Sequence, residues 1–309
     1  MSAPIVYRWD DAEAPIARGQ QDSVVNILKA CLVDGYGDKP GAGWTMPFCN
    51  VEGTKAAFRN NAVEGTGMFL QVNGELATGT CAGINGYESM TDELTGISQM
   101  IVGTGVYYMS TGGQANVTEH PWILIADSRC FYFICWFNNT LADPADTSRP
   151  SHSMFFGDIN SVHPSDNYGC ALIAPNHPSY GSYLGALSAA TSVTSAHHFI
   201  ARNLAGDLGS KPFGCVIGGG PSPTVAGKGG ADFGPEHAFY MTRPYVNDSK
   251  AYTLRGYMPG FNYPCHDASN FPNQEIVTYD GRDFLCLRIH YWSQPYCVIF
   301  IDIGEGFRP

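Results

Sequence analysis

Apolar positions Val24, Val25, Ile27, Leu28, Cys31 and Leu32 recur at i, i+3, i+4, i+7 spacing, which predicts one helix near the start of the chain. Asp22 or Ser23 is placed to cap it, and Gly35 to end it in a left-handed conformation. After Gly35 the helical period disappears and short apolar runs follow, separated by turn residues. These runs predict strands over 68–72, 105–110, 122–127, 130–138, 153–157, 170–173, 196–204, 215–217, 238–243, 254–258, 275–279, 284–290 and 296–303. The 122–127 and 130–138 runs read as a hairpin turning near Asp127–Arg129. In Cys130–Phe137 both alternating sets are apolar, which predicts a strand buried on both faces. The last two runs form a terminal hairpin around Trp292–Pro295. Ser182–Ser195 mixes Ala with Ser and Thr and reads as a loop with a helical turn.

The fold expected is therefore mainly β, as sandwich- or barrel-like sheets with one N-terminal helix and long loops. Residues 1–21, with Pro4 and Pro15, read as an extended arm reaching a neighbouring subunit, or else as a tail packed on its own domain. A main β-rich domain spans 22–217. The Gly/Pro-rich stretch from Gly218 to Gly230 marks the boundary to a β-rich part, 218–309, of the same domain or a separate one.

Composition sharpens the class. The 309 residues are enough for a sizeable core, and charged residues are only 15%, against a usual share of about 25%. Gly (36), Pro (20) and 13% aromatics favour short strands and turns. The net charge of −11, with no run of Lys or Arg, argues against a nucleic-acid partner and against docking on anionic lipid. No apolar run approaches the roughly 20 residues needed to span a bilayer, and the start lacks the pattern of a secretory signal. No membrane partner is expected.

Candidate chemistry is sparse. Lys228 follows Gly227 but is followed by Gly229, so no phosphate loop forms; Gly103–Gly105 lacks a third glycine where Tyr108 stands. Ser182 is misplaced for a nucleophile elbow. His197 and His198 in a strand point to opposite faces, and Cys265-His266-Asp267 are neighbours that seldom face one another. Asp127, Asp158, Asp166, Glu236, Asp280 and Asp283 are candidate acids for glycoside cleavage, yet their turn-like settings select no pair. No catalytic residue, cofactor or metal is assigned. The ten cysteines include no C-x-x-C and read as reduced, buried thiols, with disulfides formed outside the cytoplasm as the alternative. Tyr252, Tyr257, Phe261 and Tyr263 crowd one segment and either anchor an interface, stack a sugar or pack internally. Tyr7 and Trp9 are the matching interface candidates in the arm.

Several segments together resemble a family of tailed-bacteriophage virion proteins. They are Val6–Arg8 with Asp10–Ala12 and Ala14–Pro15, Leu28–Gly37, Lys39–Thr45, Thr54–Asn60, Gly86–Asp92, Pro121–Asp127, Phe155–Ile159 and Leu254–Gly260. The likeness covers nearly the whole chain, is strongest before residue 160, and carries no catalytic motif. It implies a non-enzymatic structural component of the virion, on the capsid surface, the neck or the tail, with copies of itself and other virion proteins as partners. The cysteine richness and the 182–230 region depart from the family's pattern. The cysteines then suggest a particle hardened by disulfides, with Cys31, Cys49, Cys81, Cys265, Cys286 and Cys297 as candidates. The competing expectations are a receptor module that binds a host-surface glycan through the 252–263 aromatics, and a particle-borne hydrolase.

Overall fold

The computed structural model describes residues 3–75, 81–100, 105–108, 119–136, 151–174, 187, 198–207, 213–218, 241–248, 253–264, 271–291 and 294–309. The fold is mainly β, as expected. Every strand pairing among the described residues is antiparallel. The first sheet is a meander of Thr45–Cys49, Lys55–Arg59, Phe69–Asn73, Cys81–Tyr87 and Gly105–Tyr108 in chain order. A ten-stranded sheet follows, and a C-terminal five-stranded sheet is built around the Arg282–Tyr291 and Gln294–Asp302 hairpin.

The large sheet is the middle layer, and its alternation shows why. Trp122, Leu124, Ala126, Phe131, Phe133 and Cys135 enter one core with the helix and the first sheet (Phe58, Leu70, Val72). Ile123, Ile125, Tyr132, Ile134 and Trp136 enter a second core with the C-terminal sheet (Phe261, Leu285, Leu287, Ile299). Both faces of Cys130–Trp136 are thus buried, because a strand sandwiched between two layers has no solvent side. The Asp127–Arg129 turn is held by Asp127 Oδ1, which accepts the amides of Arg129 and Cys130, both at 2.8 Å. A two-residue turn, Asp280 (φ 50°) and Gly281 (φ 71°), joins Ile276–Tyr279 to the terminal hairpin.

Two expectations are corrected, and one alternative left open is narrowed. Residues 3–21 pack on their own domain rather than extend as an arm: Ile5–Arg8 is an edge strand of the large sheet, paired with Trp122–Ala126, and Ala17 bridges His120. The segment docks because Tyr7 fills the first core, fully buried, and its hydroxyl donates to Pro40 O at 2.6 Å. The helix buries the expected residues but winds as α only over Ser23–Leu28 and as π-helix over Lys29–Asp34. Asp22 caps it through its carbonyl to Asn26 N (2.8 Å), with no side-chain cap, and Gly35 has positive φ (82°) but an extended ψ (171°). The large sheet also takes strands from both sides of residue 217, so no boundary divides it there.

The large sheet curls back on itself. Strand Ser151–Asp158 pairs with Cys170–Ile173, and the pairing continues through His198–Ile200, Phe213–Gly218, Tyr245–Asp248 and Leu254–Tyr257 to Asn160–Ser161. Only Ile159 separates that last strand from Asp158, so the far edge returns to the middle of the sheet. Gly157 makes the bend possible: its φ is +129°, and a Cβ there would collide with Arg129 O and Cys130. The 182–195 expectation lies outside the described residues except for Leu187, a buried turn residue.

Candidate functional site

Where the sheet closes, the turn of the central hairpin, the end of strand Ser151–Asp158 and the last residues of the chain meet. Arg308, almost fully buried, joins all three. Its Nε and Nη2 donate to the Asp127 carboxylate, its Nη1 to Asn160 Oδ1 (2.9 Å) and its Nη2 to Asp158 O (2.9 Å). Burial opposes the guanidinium's charge, but the carboxylates of Asp127 and Asp158 outweigh it, and the pKa of Arg308 stands above its ordinary value. Phe307 beside it is buried in the second core against Tyr132. The Asp158 carboxylate accepts from Asn60 Nδ2 (2.9 Å), Thr66 Oγ1 (2.5 Å), Thr66 N (2.9 Å) and Arg129 Nε (3.3 Å). It thereby ties the first sheet to the large one.

A second buried pair stands next to it. Arg255 grips Asp166 with two parallel bonds, Nε to Oδ2 at 2.9 Å and Nη2 to Oδ1 at 2.6 Å, and both side chains are fully buried. Arg255 Nη1 donates to Arg202 O (2.7 Å), and Ser161 Oγ lies 3.1 Å from Asp166 Oδ2. Between the two networks is a pocket of about 280 Å³ whose wall includes Thr66, Arg129, Asp158, Asn160, His163 and Arg308. His163 Nε2 lies 2.8 Å from Leu254 O, so the neutral ring carries its proton there and leaves Nδ1 as an acceptor. Among the described residues no group of three or more His, Cys, Asp or Glu side chains is arranged to hold a metal ion.

The interface candidates are not brought together on a surface. Phe261 and Tyr263 are core residues: Phe261 stacks on Tyr132 at 5.9 Å, and the Tyr263 hydroxyl donates to Leu187 O at 2.6 Å. With Tyr7 they are corrected from surface anchors to packing, because each apolar ring fills a layer-to-layer gap and each hydroxyl finds a carbonyl inside it. Tyr257 is half-buried with Arg243 over its ring, and Trp9 is 40% exposed at the end of its strand. Tyr252 lies outside the described residues.

The cysteines divide in the same way. Cys31, Cys130, Cys135, Cys170 and Cys286 are buried free thiols, and burial pushes the pKa of each upward. Cys31 and Cys286 are therefore corrected as cross-linking sites: both are buried, and among the described residues neither has a partner thiol. Cys49 is free and exposed. The side chains of Cys81 and Cys297 and the whole of Cys265, with His266 and Asp267, lie outside what the structure describes, as do His197, the side chain of His198 and Glu236.

Sequence reasoning marked Asp127, Asp158 and Asp166 as turn acids but missed their partners Thr66, Arg255 and Arg308. The one signal available was an arginine set among apolar neighbours, Leu254-Arg255-Gly256-Tyr257 and Phe307-Arg308-Pro309, in a chain poor in charge. Helical spans long and apolar enough to cross a membrane are absent among the described residues. No protein-family model and no curated protein matches this chain.

Proposed function

We propose that this chain is a non-enzymatic structural component of a tailed-phage virion, an accessory protein of the capsid surface, neck or tail that assembles with copies of itself and with other virion proteins. One observation carries the non-catalytic part. Asp127 and Asp158 each accept four hydrogen bonds from protein donors, and Asp166 accepts three, from Tyr168 N and the Arg255 guanidinium, with the Ser161 hydroxyl shared between it and Arg255 O. Four is the full capacity of a carboxylate. A general base or a nucleophile needs a free lone pair facing its substrate. These acids instead hold three layers in register, which suits a protein whose task is to keep its shape. The virion assignment rests on the sequence likeness, and the layered β frame is compatible with it.

The test is peptide mass spectrometry on purified particles separated into heads and tails. Recovery of this chain with either fraction, at a stoichiometry set by the symmetry of that part, is the expected result. Absence from both fractions overturns the proposal.

A further inference from the structure

We infer that the pocket between the two arginine–aspartate networks is a binding site for one neutral, hydroxyl-rich unit of monosaccharide size. The first argument is charge. The ionised groups on its wall or directly behind it are Arg129, Arg255 and Arg308 against Asp127, Asp158 and Asp166, paired within 3.3 Å. These three pairs cancel, and Pro309 at the end of the chain, also on the wall, adds at most a negative charge, so an anion gains no favourable field there. The second argument is the free hydrogen-bonding capacity. The carboxylates of Asp127 and Asp158 are saturated and Asp166 is held by Arg255 and Tyr168 N, but among the described residues the Arg129 Nη groups have no partner, and Asn160 uses only one of its two amide protons, on Phe307 O (3.2 Å). His163 offers Nδ1 as an acceptor. Residues with spare donors and a spare acceptor thus line one small cavity, and a hydroxyl is the group that satisfies both roles at once.

The third argument is size and preorganisation. The volume of about 280 Å³ is below the range of drug-sized ligand pockets and suits a single pyranose ring. Asp158 at 2% and Arg308 at 6% exposure are locked by their own bonds, so binding requires little reordering of the wall. This site is not the 252–263 aromatic groove expected from sequence, whose rings Phe261 and Tyr263 are in the core. It is independent of the virion assignment, since it is read on the isolated protein.

Saturation-transfer NMR with the purified full chain tests it, using methyl glycosides of glucose, galactose and N-acetylglucosamine, with sulfate and glucuronate as charged comparators. The expected result is millimolar binding of at least one neutral glycoside, undisturbed by sulfate. Arg129→Met should weaken that binding about tenfold or more, the usual effect of losing a charged donor. His163→Phe, which removes the acceptor and fills space, should weaken it too, with both variants checked for an unchanged melting temperature. The proposal is overturned if no neutral glycoside binds, if a charged comparator binds more tightly, or if both variants bind like the parent. Any of these outcomes leaves recovery of the chain in particles unaffected, so this site and the virion role fail separately.

Discussion

Cys49 and His152 are the side chains whose behaviour in solution follows most directly from their surroundings. Cys49 alone among the described thiols meets solvent, and partial burial raises its pKa against the opposing pull of Lys29. With a thiol reagent at neutral pH it should be modified in the native protein, while Cys31, Cys130, Cys135, Cys170 and Cys286 react only after unfolding. Mass mapping of alkylated peptides before and after urea checks this; early labelling of Cys31 or Cys286 would contradict the packing described. If Cys49 joins subunits by disulfide in a particle, Cys49→Ser should remove that cross-linked species on non-reducing gels where Cys31→Ser does not. His152 is opposite Cys135 in the sheet and fully buried, and burial lowers its pKa from 6.5 to about 3. The folded state keeps it neutral while the unfolded chain takes up a proton below 6.5. Its contribution to stability is therefore full above pH 6.5 and is lost as pH falls from there towards 3, at up to about 1.4 kcal/mol per pH unit. His120 is shifted in the same direction by the same cause. Urea midpoints at pH 7.5 and pH 4.5 should differ less in His152→Gln than in the parent; an equal difference would remove His152 as the source.

At the scale of elements, the informative strands are the ones where local pattern and tertiary role part company. Cys130–Trp136 was legible because continuous apolar residues over seven positions leave a strand no solvent face. Ile5–Arg8 was not, since four residues flanked by charged and proline-bearing sequence carry too little periodicity to be told from an arm. Its stability comes from the partner edge, Trp122–Ala126, which is entirely buried. Amides in the Ile5–Arg8 ladder should exchange slowly in the monomer, and deleting residues 1–8 should lower the melting temperature and promote self-association through the bared edge, read by size exclusion. The π-helical turn at Lys29–Asp34 was equally hidden, because apolar spacing reports which face is buried and not how the backbone closes its hydrogen bonds. Gly157 is the hinge element of the curled sheet. Gly157→Ala forces a Cβ onto Arg129 O at positive φ and should cost about 2 kcal/mol or more in urea denaturation.

Across the whole molecule, three layers are pinned at one junction, and Arg308 is the residue common to its parts. Arg308→Met removes the partner of Asp127 and leaves that carboxylate and Asp158 O buried, which should destabilise the protein by about 3–5 kcal/mol. Thermal unfolding followed by circular dichroism checks it, and a loss under 1 kcal/mol would show the junction to be dispensable. The double variant Asp127→Asn/Arg308→Met should recover part of the loss, as expected when the penalty lies in a stranded charge. The sequence by itself determined the β class, the helix's buried face, both hairpins and the double-sided burial of the central strand. Each of these is carried by the order of apolar and polar residues within about ten positions. The tertiary structure alone decided which strands edge which sheet, where the large sheet closes, and which acids meet which arginines. Asp127 and Arg308 are 181 residues apart, and Thr66 and Asp158 are 92 apart. No local pattern encodes such a pairing, because it exists only once the layers have stacked and water has left the space between them.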